Sequence, residues 1–82
     1  MIQIHSDKGR WFVRYWQSNP VLAHTFKEDG LTDDVKAWLY SNDKISMEYI
    51  HDQCRELNVR IYFSTRTNAE NFIRTWVKPH KV

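Results

Sequence analysis

Two stretches of the sequence combine arginines with aromatic rings at the alternating spacing of a β-strand. The alternating residues are Arg10, Phe12, Arg14 and Trp16 in RWFVRYWQ, and Arg60 and Tyr62 in VRIYFS. Residues two apart lie on the same side of a strand, so each stretch would present cations and rings together. Guanidinium groups neutralise phosphates, and flat rings stack on unpaired bases for about 1–3 kcal/mol each. The pattern predicts a surface that binds RNA or single-stranded nucleic acid.

The distribution of charge along the chain supports this prediction. Residues 1–27 carry four cations against one anion, and residues 59–82 carry five against one. Residues 28–58 carry three cations against eight anions, so the net charge of +2 hides two basic ends and an acidic middle. If the ends fold together, one side of the protein carries about seven positive charges. Arg66, Arg74 and Lys78 are predicted to extend this basic region along the last helix.

Two other interpretations of the same surface remain open. Arginine and aromatic residues are also enriched at protein interfaces, so the surface fits a homodimer contact or a protein–protein inhibitor. An ordinary solvated sheet face, with arginines lying over rings in cation–π contact, would have the same composition. The acidic residues Glu48, Asp52 and Glu56 are interpreted as the solvated face of a helix.

Metal and catalytic chemistry have weaker support. His51 and Cys54 form one HxxC pair, whereas a zinc site needs four ligands. A core position is the better interpretation of Cys54, and no metal or cofactor is predicted. His5 and His24 could cleave RNA by acid–base chemistry if their strands were adjacent. With two glycines in the chain and no phosphate-binding loop, we expect a protein that is not an enzyme.

Alternating and turn-forming residues predict four strands. They are residues 1–5, 10–17, 21–27 and 59–64, with a turn at 6–9 between the first two. In the second and last strands, one side would face the core. The inward residues predicted there are Trp11, Val13, Tyr15, Val59, Ile61 and Phe63.

Capping residues predict three helices. Thr32 would cap a helix to about Ser41, with Asp33 and Asp34 at its positive end. Ser46 would cap a second helix with Met47, Ile50, Cys54 and Leu57 as its buried stripe and Asn58 as its left-handed cap. Thr67 and Glu70 would form a capping box that opens the last helix, which Pro79 ends.

These elements, in the order βββ-αα-β-α, predict an α+β fold. The simplest arrangement is a two-layer sandwich, with a three- or four-stranded antiparallel sheet and the helices on one face. The last strand is expected to pair with an earlier strand rather than to follow the third in line. Residues 1–82 would form one domain, with 78–82 as a frayed tail.

Composition predicts a cytoplasmic protein. The one cysteine precludes a disulfide within the chain, which fits a reducing compartment. No apolar run approaches the roughly 18 residues of a membrane span. The first residues, MIQIHSDKGRW, lack the apolar core of a signal peptide.

The stretch IYFSTRTNAENFIRTW resembles small accessory proteins of T4-like bacteriophages. The resemblance covers about residues 59–77, together with the small size and the abundance of Trp, Tyr and Phe. It implies a role in host takeover or counter-defence within the host cytoplasm. One such class inhibits toxin–antitoxin defence and includes basic, RNA-associated inhibitors of endoribonuclease toxins. The resemblance assigns no functional residue to this chain.

Overall fold

The computed structural model describes residues 2–42, 47–51 and 56–77. The strands in this part of the chain are β1 (Ile4–Asp7), β2 (Arg10–Trp16), β3 (Phe26–Lys27), β4 (Gly30–Leu31), β5 (Met47–His51) and β6 (Leu57–Phe63). The helices are α1 (Asp33–Asn42) and α2 (Arg66–Trp76). Four strands form an antiparallel sheet in the order β1-β2-β6-β5, and β3 pairs with β4 in a second, smaller sheet. The predicted α+β fold is confirmed, with four strands in its main sheet.

A two-residue turn joins β1 to β2. Asp7 pairs with Arg10, and Lys8 and Gly9 between them have φ of 51° and 79°. Positive φ at both central residues is the mark of a type I′ turn, whose twist matches that of the strands. Gly9 takes this conformation without a steric cost. The turn is therefore shorter than the predicted 6–9, and β1 continues through Asp7.

The strand β6 is the centre of the sheet, and this position overturns one predicted helix. Every residue of β6 is buried except Arg60, which is half-buried. A strand this buried needs a neighbour on each side, since its backbone groups cannot otherwise be satisfied. β2 pairs with one edge and Met47–His51 with the other. The helix predicted from Ser46 is thus wrong over Met47–His51, and Ser46 and Cys54 lie outside the described residues.

The predicted third strand is also wrong over most of its length. Asn19 Oδ1 accepts a hydrogen bond from the Val21 amide at 3.1 Å, and the Leu22 amide donates to the Asn19 carbonyl at 3.1 Å. Ala23–Thr25 then forms a 3-10 helix, so only Phe26–Lys27 is strand. The side chain of Asn19 offers the backbone a local turn in place of sheet pairing.

The first predicted helix cap is correct and the last is displaced. Thr32 Oγ1 accepts from the Val35 amide at 3.4 Å, at the start of α1. At α2 the cap is Thr65, whose Oγ1 accepts from the Asn68 amide at 3.1 Å. The predicted Thr67–Glu70 capping box is therefore wrong. β6 ends at Phe63, so the chain begins α2 as soon as Thr65 can supply a cap.

The core lies between the main sheet and the two helices. Trp11 is half-buried on this side, with the Arg66 guanidinium of α2 5.7 Å from its ring centre. The fully buried or nearly buried residues of the core include Val13, Tyr15, Val59, Ile61 and Phe63 from the sheet, and Val35, Leu39, Ala69 and Phe72 from the helices. The inward side of the sheet is thus the predicted one. Neither helix is of the length and apolarity that a bilayer span needs, as far as the described residues extend.

Candidate nucleic-acid interface

The side of the main sheet that faces away from the helices carries the six strand residues predicted to bind. We call this side the outer sheet face. The strand register and the alternation of side chains assign to it Arg10, Phe12, Arg14, Trp16, Arg60 and Tyr62, together with His5, Asp7, Glu48, Ile50 and Asn58. The outer sheet face is therefore built from all four strands.

The register arranges charged and aromatic residues of the outer sheet face in alternating rows. The first row pairs Asp7 with Arg10, and the second crosses the sheet from His5 through Phe12 to Tyr62. The third row runs from Arg14 to Arg60 and Glu48, and the fourth contains Trp16, Asn58 and Ile50. Successive rows are about 6.8 Å apart, because each strand residue advances the chain by about 3.4 Å.

Each arginine on the outer sheet face lies over a ring. The guanidinium carbon is 4.2 Å from the Tyr62 ring centre for Arg10, 4.7 Å from that of Trp16 for Arg14, and 5.2 Å from that of Phe12 for Arg60. Such contacts are worth about 0.5–1 kcal/mol each at exposed sites. The arginines and rings therefore form one layer of mutual contacts.

The rings of this layer are partly covered by their neighbours. Tyr62 is only 7% exposed, and Phe12 stacks on His5 with ring centres 5.1 Å apart. Phe12 also contacts Tyr62, at 5.5 Å between ring centres. A base that stacks on Phe12 or Tyr62 must therefore displace an arginine or the His5 ring.

Hydrogen bonds fix Arg60 and Arg14 in this layer. Arg60 Nη1 donates to Tyr62 Oη at 3.2 Å, and this bond raises the pKa of Arg60 above its ordinary value. Arg14 Nε donates to Asn58 Oδ1 at 3.3 Å, and Asn58 Nδ2 donates to the Ile50 carbonyl at 3.0 Å. Asn58 is fully buried, and its two hydrogen bonds connect Arg14 to β5.

Sequence reasoning missed Asn58 and both acidic residues of this face. Asn58 was predicted to cap a helix, yet it continues the alternation backwards from Tyr62 and Arg60. That alternation was the signal that could have found it. Glu48 joins the face because β5 is a strand, and Asp7 joins it because β1 extends to the turn.

The outer sheet face carries less net positive charge than the sequence suggested. β2 and β6 do lie side by side, so the two basic ends of the chain meet. The outer sheet face nevertheless carries three arginines together with Asp7 and Glu48. Its basic character therefore lies in the positions of the arginines rather than in a large net charge.

Two of the predicted basic residues of the last helix, Arg66 and Arg74, are not on this face. Arg66 forms an ion pair with Glu70 at 3.7 Å, and Arg74 donates to Asn71 Oδ1 at 3.3 Å. Both belong to α2, which packs on the opposite side of the sheet. Lys78 lies outside the described residues.

The histidines do not form the predicted pair on adjacent strands. His5 lies on β1 against Phe12, whereas His24 is exposed in the 3-10 helix. The side chain of His51 is not described, and Asp52 also lies outside the described residues. Glu56 is not on a solvated helix face, since its Oε1 accepts from the Ser18 amide at 2.8 Å.

The comparisons with known proteins add no relative to this geometry. No protein family matches the chain, and no curated protein or solved structure matches it either. The functional argument therefore rests on the outer sheet face itself.

Proposed function

We propose that this protein binds RNA or other single-stranded nucleic acid through the outer sheet face, without catalysis. The observation that supports the proposal is the alternation of arginine and ring rows on one face of the sheet. A single strand offers phosphates and unpaired bases in alternation, so both of its components meet a matching group. The strand-borne residues of the interface are Arg10, Phe12, Arg14, Trp16, Arg60 and Tyr62.

The energies favour the movement that binding requires. An arginine that leaves a ring gives up about 0.5–1 kcal/mol. A charge-assisted hydrogen bond to a phosphate returns about 1.5–3 kcal/mol, and the uncovered ring can stack on a base for about 1–3 kcal/mol. Exchange of the ring contact for a phosphate and a base is therefore favourable for Arg10. The gain is smaller for Arg14 and Arg60, because a movement of either side chain also weakens its hydrogen bond to Asn58 or Tyr62.

The experiment is a fluorescence anisotropy titration of a labelled twelve-nucleotide RNA and its DNA equivalent. The Arg10→Ala, Arg14→Ala double variant should weaken binding at least tenfold at about 100 mM salt and remain folded. Arg66→Ala with Arg74→Ala is the matched control, because it removes the same two charges from the helix layer. If three phosphates are contacted, affinity should fall about 20-fold between 50 and 200 mM salt.

Two results would contradict the proposal. One is the absence of saturable binding by the unaltered protein to either oligonucleotide. The other is an equal loss of affinity in this double variant and in the Arg66→Ala, Arg74→Ala control, since that would show an effect of net charge alone. Salt-insensitive binding to a protein, with no nucleic acid in the purified sample, would instead favour an inhibitor or a homodimer that uses the same face.

The phage resemblance gives the proposal a biological setting. It suggests that the protein acts in the cytoplasm of an infected host and blocks a defence nuclease or toxin. An endoribonuclease assay with the toxin's RNA substrate tests this part separately. Inhibition should require Arg10 and Arg14 if occupation of the RNA is the mechanism.

A further inference from the structure

The two central arginines of the outer sheet face are direct neighbours across two strands. Arg14 on β2 is the register partner of Arg60 on β6. Side chains at such positions have Cβ atoms about 4.5–5.5 Å apart, and like charges there are destabilising. The two side chains thus start side by side at the middle of the sheet. Their guanidinium groups turn to opposite sides, that of Arg14 over Trp16 and that of Arg60 over Phe12.

Neither of these arginines has a carboxylate partner among the described residues. The ion pairs in that part of the chain join Lys27 to Asp33 and Arg66 to Glu70. Glu48 lies opposite Arg60 in the register but not within ion-pairing distance. The hydrogen-bond partners of Arg14 and Arg60 are neutral groups, and Glu48 and Asp7 attract Arg60 without forming an ion pair with it.

One donor of this pair has no acceptor. Arg60 Nε is buried and makes no hydrogen bond. An unsatisfied buried donor costs about as much as the hydrogen bond it fails to make, and more when it is charged. An incoming oxygen atom would satisfy Arg60 Nε once the side chain rotates away from the Phe12 ring.

The buried residue Asn58 fixes the side chain of Arg14 by a hydrogen bond. Asn58 accepts from its Nε, and the amide of Asn58 is itself fixed on the Ile50 carbonyl. A ligand in the row that the two arginines share would meet the terminal nitrogens of both once Arg14 turns away from Trp16 and Arg60 turns away from Phe12 and Tyr62. Planar forks of N–H donors fit the oxygens of a phosphate better than a single ammonium does.

We propose that Arg14 and Arg60 together form one oxyanion subsite that holds a single phosphate group. This inference rests on the proposed function, in which the phosphate belongs to the backbone of a single strand. The aromatic row of Phe12 and Tyr62 lies about 6.8 Å to one side of the pair, and Trp16 lies about as far to the other. The two bases that flank the bound phosphate would stack there. Asn58 is a positioning residue, since it acts through Arg14.

The first test uses inorganic phosphate as the probe and nuclear magnetic resonance of the arginine Nε–Hε groups. Phosphate replaces chloride at constant ionic strength and pH. The Arg14 and Arg60 signals should shift with one common dissociation constant, while the Arg74 signal stays in place. Arg60→Lys keeps the charge but removes the fork, so it should abolish the shift of Arg14 as well. Different midpoints for Arg14 and Arg60, or shifts no larger than that of Arg74, would overturn the subsite.

The second test counts phosphates through the salt dependence of oligonucleotide binding. The slope of log affinity against log salt decreases by about 0.7 for each single-strand phosphate that the protein no longer neutralises. Because the pair shares one phosphate, Arg14→Gln with Arg60→Gln should reduce the slope by about 0.7. The control is Arg10→Gln with Arg14→Gln, which lie two rows apart and should reduce it by about 1.4. Equal reductions of about 1.4 in both double variants would show separate phosphates and refute the shared subsite.

The two tests separate this inference from the proposed function. If the unaltered protein binds no oligonucleotide, the proposed function is wrong. The phosphate titration then still decides whether Arg14 and Arg60 bind an oxyanion together. If oligonucleotide binds but the arginines respond independently, the function stands and the subsite does not.

Discussion

Replacement of Asn58 by alanine should destabilise the protein by about 2.5 kcal/mol. Asn58 is fully buried and makes two hydrogen bonds, one to the Ile50 carbonyl and one from Arg14 Nε. A neutral bond contributes about 1 kcal/mol. The bond from the charged Arg14 belongs at the lower end of the 1.5–3 kcal/mol range, because it is 3.3 Å long and only partly buried. The side chain that is removed is small, so a cavity adds little.

Urea unfolding followed by tryptophan fluorescence measures this change. A protein of this size has a slope near 1 kcal/mol per molar urea, so the midpoint should fall by about 2.5 M at an unchanged slope. Asn71→Ala is the matched control, since Asn71 also accepts a hydrogen bond from an arginine, at 3.3 Å from Arg74. That bond is exposed and alanine favours a helix, so the control should stay within about 0.5 kcal/mol of the unaltered protein. Equal midpoints for the two variants would refute the argument that buried Asn58 anchors Arg14.

Two further predictions concern the helix cap and the core. Thr65→Ala should lower the free energy of unfolding in urea by about 1 kcal/mol, because it removes the cap of α2. Thr67→Ala should lower it much less. A larger effect of Thr67→Ala would show that Thr67 is the cap after all. Tyr15→Phe should cost about 1 kcal/mol at neutral pH, because the buried Tyr15 hydroxyl bonds to Thr25 Oγ1 at 3.0 Å. Burial raises the pKa of Tyr15, so the neutral phenol is favoured in the folded state and its contribution is fully present below the unfolded pKa of about 10. Above that pH the unaltered protein should lose stability faster than Tyr15→Phe, and parallel unfolding curves from pH 9 to 11 would contradict this.

The strand–turn–helix stretch near the C-terminus was predictable because its signals are local. Val59, Ile61 and Phe63 alternate within one strand, and the apolar spacing of α2 needs no knowledge of the rest of the chain. The cap was displaced by two residues, since Thr65 and Thr67 are equally suitable by type. Their order along the chain decided between them once β6 ended at Phe63.

The strand β5 could not be predicted from its own residues. Met47 and Ile50 fit the spacing of a helix, and Ser46 resembles a cap, yet Met47 pairs with Ile61 and Ile50 with Asn58. Met47–His51 forms a strand because buried β6 requires a second neighbouring strand, and this requirement comes from the tertiary structure rather than from the local sequence. The same error concealed Asn58, because a residue assigned to a helix end was not counted in the alternation of the next strand.

The six strand residues of the candidate site were predictable because alternation alone places them on one face. Their mutual geometry was not, because it depends on which strands are neighbours. Arg14 and Arg60 are 46 positions apart in numbering and meet only because β2 pairs with β6. The sequence also suggested one basic surface that included Arg66 and Arg74, whereas α2 holds both on the other side of the sheet.

The outer sheet face breaks a local rule at its centre, and this is where a function is most easily argued. Two like charges in register weaken the sheet, and the rings and Asn58 offset that cost only in part. On a face that served solubility alone, each of the three arginines could occupy a row of its own, as Arg10 does. Glu48 and Asp7 offset the pairing of Arg14 with Arg60 only through attraction without an ion pair, and the buried Arg60 Nε stays unsatisfied, so a bound anion would add a further gain. A bound phosphate would replace the repulsion between these two arginines with an attraction that both share, which is the physical reason to look for the ligand at this row.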